Sequence, residues 1–286
     1  MSFLKVIVLA IVQGLAELLP VSSSAHVVVA EKLMGLDPSA PAMTLLLVML
    51  HTGTMFAVIV YFWRRWRASY FASMAQFKRS ALQVILATLL TGLIGEALQV
   101  LIEKTVLRGV PNAQIEDLFS HLEWIAPALA VGGVLILVAG LRERQAARGT
   151  GAELTVRQAG LIGAIQGLCL PFRGFSRSGA TISTGMLCGV SKASVEDFSF
   201  ALAVVLTPAV VYREVMRVLH SEQQSGATAF AGVVGPALLG AVLAFVAGLL
   251  ALKWLSQWLE GGRWYLFGVY CLVASVVVGA LYFTGV

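Results

Sequence analysis

The chain has 286 residues, 58% of them hydrophobic and only 12% charged, about half the charged share of a soluble domain. That composition excludes an ordinary water-soluble globular protein. The net charge of +5 does not point to nucleic acid, because the cations lie in short stretches between apolar runs, a pattern of membrane topology.

The first apolar run, residues 3–19, resembles a signal peptide. It leads into Glu-Leu-Leu-Pro-Val-Ser-Ser-Ser instead of a small-residue cleavage site, and is expected to stay in the mature fold. Six further runs follow, at 38–63, 80–95, 124–141, 198–212, 223–252 and 265–286. Most approach or exceed the roughly 20 apolar residues that cross a hydrocarbon core; 80–95 and 198–212 do so only by taking in Glu96 or Asp197. The expected fold is all-α and polytopic, with six full transmembrane helices. Of the 20 Lys and Arg, 11 fall in the alternate loops 64–79, 142–157 and 253–263, which the positive-inside rule makes cytoplasmic. The long polar stretch 108–123 suggests no function. Cys169, Cys188 and Cys271 have no paired spacing and predict neither disulfides nor a zinc site.

An internal repeat divides the chain. Gln13-Gly14-Leu15 is followed by apolar residues, a proline and serines, and Gln166-Gly167-Leu168 opens a similar stretch 153 residues later. Val58-Ile59-Val60-Tyr61 before Arg64 matches Val210-Val211-Tyr212 before Arg213 at nearly the same offset. Each half then holds one proline-broken, serine-rich segment and three full spans. An odd number of crossings turns the second copy upside down, predicting two inverted-topology repeats, about 1–145 and 146–286, within one membrane domain. Folds of this kind bind anions at the midplane, between broken helices.

The two broken segments carry the polar chemistry. Non-helical backbone is tolerated at membrane depth only inside protein or beside a water-filled cavity, so each is read as a re-entrant helical hairpin. In the first, Gln13 and Glu17 share a helical face, and Pro20 marks the turn. Ser22, Ser23 and Ser24 open a second short helix whose free N–H groups suit an anion, and His26 follows. The second crowds Arg173, Gly174, Ser176, Arg177, Ser178, Gly179 and Thr181 together. Glycine lets backbone approach a phosphate, and arginine holds its oxygens in a planar fork; an intramembrane arginine marks a functional site with a partner, here a phosphate on Arg177. Blander roles exist for each. Small residues serve helix packing, Glu17 and Arg177 can form a structural ion pair, and Arg173 beside Pro171 can snorkel to water. His51, in the first full span with no neighbouring carboxylate or histidine, reads as a packing residue with a hydrogen bond.

At these residues the chain resembles the BacA/UppP family of undecaprenyl-diphosphate phosphatases, over essentially its whole length. The family's (Glu/Gln)-x-x-x-Glu motif matches Gln13 to Glu17, with Pro20-Val21-Ser22-Ser23 and His26 following. Its Pro-Gly-x-Ser-Arg-Ser-x-x-Thr motif matches residues 173–181, with Arg173 where the family usually has proline. The resemblance implies hydrolysis of undecaprenyl diphosphate to undecaprenyl phosphate in the bacterial plasma membrane, recycling the cell-wall carrier lipid and conferring bacitracin resistance. It implies Ser23 as nucleophile, His26 as its general base or the leaving group's acid, Glu17 as orienter of the histidine or holder of a divalent cation, and Arg177 as charge stabiliser. Direct attack by water stays open. Gln13, Ser22, Ser24, Arg173, Gly174, Ser176, Ser178, Gly179 and Thr181 would bind substrate. No tightly bound cofactor is expected; Mg²⁺ or Ca²⁺ would act as an activator. The expected partners are the lipid diphosphate, membrane lipid and a second copy of the chain. The rival reading is a carrier that flips polyprenyl phosphate through the same anion site.

Overall fold

The computed structural model describes residues 2–38, 40–106, 118, 121–145, 153–225, 229–260 and 262–284. Arg148 and most of the 108–123 stretch lie outside these. The described residues form ten α-helices: α1 Phe3–Leu18, α2 Ser23–Leu33, α3 Pro41–Ser69, α4 Met74–Thr105, α5 Leu122–Gln145, α6 Val156–Cys169, α7 Arg177–Leu187, α8 Lys192–Ser225, α9 Ala229–Glu260 and α10 Trp264–Phe283.

Local sequence sets many of these limits. α1 stops because Leu19 precedes Pro20, which forces its predecessor out of the helical region, and Leu19 is extended. α3 opens on Pro41, whose fixed φ suits a first turn. α6 opens on a Thr155–Gln158 capping box. Six helices are long and apolar enough to cross a membrane: α3, α4, α5, α8, α9 and α10. The chain is a multi-pass membrane protein. These helices run past the apolar windows read from sequence, α4 taking in Lys78 and Arg79 at one end and Lys104 at the other, because a helix continues through the interface once charges can reach water. At 16, 11, 14 and 11 residues, α1, α2, α6 and α7 fall short of a span; 16 residues reach only about 24 Å.

Apolar side chains face outward on the long helices, Leu82, Ile85, Leu89 and Leu93 along α4 and Val269, Val273 and Val276 along α10. That helical spacing forms a lipid-facing stripe. Inside, α5 packs along α10, α3 along α9, α4 on α6, α1 on α9 and α3 on α8. One core gathers Phe62, Trp66, Phe198, Phe200 and Trp264. Ion pairs tie one end of the bundle: Arg65 meets Glu196 at 3.2 Å and Asp197 at 2.9 Å, Lys192 meets Glu143 at 3.3 Å, and Arg79 meets Glu153 at 2.8 Å. The Trp66 indole N–H donates to the Asp197 carbonyl. Acidic residues that interrupt the apolar pattern of α8 are thereby paired within the protein.

The close helix contacts occur in related pairs. A side chain on Gly14 would collide with Ala244 and Ala247 of α9, and one on Gly167 would collide with Thr91 and Ile94 of α4. Each member of the first set lies 153 positions from its counterpart in the second.

Candidate active site

α1 and α2 meet at a turn containing Ser22, whose φ of 68° is unusual for a residue with a side chain. α6 and α7 meet at a turn containing Gly174, with φ 102°; a Cβ there would also strike the Ile125 carbonyl of α5. Between the two turns lies a cavity of about 580 Å³. Gln13, Glu17, Ser22, Ser23, Ser24, Arg173, Ser176, Arg177 and Ser178 line it. Residues far apart in the chain thus share one chamber, as expected.

Glu17 is the hub. Ser23 Oγ donates to its Oε2 at 2.5 Å, Gln13 Nε2 donates to the same oxygen at 3.1 Å, and Arg177 donates to Oε1 at 3.0 Å. The Glu17 and Arg177 side chains are only 15% and 21% exposed, so their attraction is little screened by water. Arg177 also reaches the Ser199 carbonyl at 3.5 Å. Its guanidinium still has N–H groups for an incoming anion. Ser176 caps α7, its hydroxyl accepting from the Gly179 N–H. First-turn N–H groups of α2 and α7 have no intrahelical partner, and at a cavity edge they favour an anion.

Much of the remaining wall is apolar, formed by Val27, Leu47, Val48, Leu170, Phe172, Leu206, Val210 and Val211, with Thr44, His51 and Thr207 among them. Pro38, just before α3, Thr44 in the first turn of α3, and the middle of α8 from Ala203 to Val211 place the chamber away from the bundle end that holds the Arg65 and Arg79 ion pairs.

His26 does not meet Ser23 or Glu17. Its Nδ1 lies 2.7 Å from the Ser22 carbonyl and must donate there, leaving Nε2 to accept from the Tyr270 hydroxyl at 2.6 Å. The ring stacks on Tyr270. The expectation that His26 serves Ser23 as base therefore differs from this geometry: Ser23 turns toward α1 through Glu17, whereas His26 turns toward α10. Its visible work is to brace the left-handed Ser22 turn.

His51 takes the place beside the carboxylate. It lines the cavity, its Nδ1 donates to the Leu47 carbonyl at 2.8 Å, and its Nε2 stands 3.5 Å from Glu17 Oε2. The packing hydrogen bond read from sequence is present, but the other ring nitrogen faces the hub. No local pattern announces this, since the contact depends on α3 packing against α1.

Gly174, Gly179 and Thr181 of the second motif lie outside the chamber, as His26 of the first does. Gly174 and Gly179 let their segment approach α5, a Cβ on Gly179 meeting Ile136. Thr181 is fully buried, its hydroxyl bonded to the Arg177 carbonyl and to Ser199 Oγ at 2.6 Å. They position Arg177 and are not exposed to a ligand. Among the described residues, no three His, Cys, Asp or Glu side chains gather as a metal cage.

The chain is 57% identical over 281 residues to undecaprenyl-diphosphatase 2 of Acinetobacter baylyi, covering 97% of each. It is 34% identical to undecaprenyl-diphosphatase 2 of Burkholderia orbicola and to undecaprenyl-diphosphatase 1 of Burkholderia pseudomallei, covering 96% of this chain and 95% of theirs. The model of bacitracin resistance protein BacA matches residues 6–277, and the chain belongs to the BacA family.

Proposed function

We propose that the chain hydrolyses undecaprenyl diphosphate to undecaprenyl phosphate and inorganic phosphate in the bacterial plasma membrane, the activity named for its relatives. The observation that carries this is the Glu17 hub, which engages a serine hydroxyl through one oxygen and an arginine through the other beside an apolar wall. A lipid diphosphate needs both surfaces at once. Its prenyl chain stays against Leu47, Val48, Leu206 and Val210 while its head reaches Ser23.

Ser23 Oγ attacks the terminal phosphorus as its proton passes to Glu17 Oε2. The bond from that phosphorus to the bridging oxygen breaks, and undecaprenyl phosphate leaves. Water then attacks the phosphoserine, releasing phosphate and restoring the hydroxyl. Phosphoryl transfer depends mainly on positioning and charge stabilisation, which Arg177 and the N–H groups opening α2 and α7 supply. His51 Nε2 is the nitrogen placed to exchange the Glu17 proton with the chamber. A Mg²⁺ or Ca²⁺ activator would enter with the diphosphate, Glu17 being the nearby carboxylate.

The test is phosphate release from undecaprenyl diphosphate by purified protein in detergent. Wild type is expected to turn over, His51→Gln to lose about 10²-fold as a proton-transfer residue, and His26→Gln to lose less, together with thermal stability. No release by folded wild type that still binds the lipid would favour the carrier reading. A larger loss for His26→Gln at unchanged stability would return the base role to His26.

The helix pairs α1/α2 and α6/α7 are proposed as re-entrant hairpins from opposite faces, within inverted repeats 1–145 and 146–286. Supporting this, α1 packs on α9 as α6 packs on α4, through glycine contacts displaced by a common 153 residues. The Pro20 carbonyl also lies 3.5 Å from Cys271, midway along α10, which suits a turn at half depth. Single cysteines at positions 72 and 147 of a cysteine-free variant are expected to label from the cytoplasm and one at 112 from the opposite side. Labelling of 72 and 147 from opposite sides would overturn the topology.

A further inference from the structure

Glu31, near the end of α2, is fully buried, and neither of its carboxylate oxygens has a hydrogen-bond partner among the described residues. A carboxylate stripped of both water and hydrogen bonds is costly to keep in a membrane protein, and such residues are retained for a purpose. The mechanism above does not use it. Among the described residues, Arg173 and Asp37 are the charged groups that act on it through space. Arg173 lines the chamber, four residues before Arg177 in the turn leading into α7, and it occupies the position where the family motif has proline.

A diphosphate brings negative charge on two phosphates into a chamber of low dielectric, where each phosphate needs its own counter-charge. Arg177 faces the terminal phosphate beside Ser23 and is held by Glu17. Arg173 is a second chamber cation, and Glu31 is a second buried carboxylate. Glu31 lies eight residues along α2 from Ser23, about 12 Å of helix rise, toward the chamber end where Pro38 lines the wall. The second pair is therefore displaced from the reacting centre in the direction of the leaving group.

We infer that Arg173 binds the phosphate that remains on the lipid, and that Glu31, which makes no direct bond to it, is a positioning residue whose charge acts through space to hold the Arg173 guanidinium in place. This rests on the diphosphatase reading. Arg173 adds ground-state and transition-state binding alike, because the lipid-linked phosphate is held throughout the reaction. Glu31 acts only through Arg173.

The experiment measures KM and kcat for undecaprenyl diphosphate, with inorganic pyrophosphate and orthophosphate as competing inhibitors. Arg173→Gln should raise KM about tenfold and weaken pyrophosphate inhibition about tenfold, with smaller changes in kcat and in orthophosphate inhibition. Arg173→Lys should recover part of the loss, since a point charge replaces the fork. Glu31→Gln should shift KM in the same direction, and adding it to Arg173→Gln should cost nothing more. Melting temperature checks that each variant is folded. If Glu31→Gln fails to fold, Arg173→Gln alone decides the cation's role, and Glu31→Asp replaces it in the cycle. Unmoved KM and pyrophosphate inhibition in Arg173→Gln would overturn the inference; so would additive losses in the double variant. If wild type releases no phosphate yet pyrophosphate raises its melting temperature only when Arg173 is present, the phosphatase reading fails and the Arg173 site stands. No pyrophosphate effect on an inactive wild type sinks both.

Discussion

Arg177→Ala is expected to lower phosphate release by about 10²- to 10³-fold, the usual cost of removing one preorganised donor from a developing oxyanion. The loss should appear mainly in kcat, because the guanidinium is placed for charge that grows on the terminal phosphate during transfer. A second effect should accompany it. Arg177 is the cation hydrogen-bonded to Glu17 Oε1 at 3.0 Å, so its removal strands a largely buried carboxylate and should destabilise the protein by about 3 kcal/mol. Arg177→Lys restores charge without the planar fork and should regain stability more than rate. The double variant Glu17→Gln with Arg177→Ala separates the two effects. It should melt higher than Arg177→Ala alone while remaining inactive. Retained activity in Arg177→Ala would remove the arginine from the mechanism and leave it as the structural ion pair that the sequence also permits.

What the sequence made legible was chemistry that is local in the chain. Six apolar runs became the six helices long enough to cross a membrane, and the two polar segments became the turns that border one chamber. Gln13 and Glu17 are joined as their four-residue spacing predicts. What stayed illegible depends on packing between distant elements. His51 reaches Glu17 only because α3 lies against α1, and His26 is drawn away from Ser23 by Tyr270, 244 residues later. Nothing in the sequence singles out Glu31, whose complete burial only the fold reveals. Residue type was ambiguous in other places: Gly174 and Gly179 suit phosphate approach and helix contact equally, and here both are pressed against α5. Thr181, the fifth residue of α7, similarly bonds the Arg177 carbonyl and Ser199 instead of facing the chamber.

Ser23 decides which form of the chemistry the site runs. Its hydroxyl is the nucleophile nearest the Glu17 carboxylate, at the first residue of α2, where a phosphate attached to Oγ would sit against the helix N-terminus and be favoured by its N–H groups and dipole. A covalent route therefore predicts that Ser23→Ala falls to background, a loss of at least about 10⁴-fold, as expected when a nucleophile that splits one difficult step into two is removed. Direct attack by water predicts a milder loss of about 10²-fold, since only a positioning hydroxyl has gone. The two routes also differ in what can be trapped. Rapid acid quenching of wild type during turnover of substrate labelled in its terminal phosphate should leave label on the peptide containing Ser23, and none on the Ser23→Ala protein. Glu17→Gln should keep the hydroxyl in place but remove its base, so it is expected to form little phosphoserine. Label absent from wild type, with Ser23→Ala still turning over slowly, would assign the attack to water and leave Ser23 as a residue that orients the phosphate against Arg177.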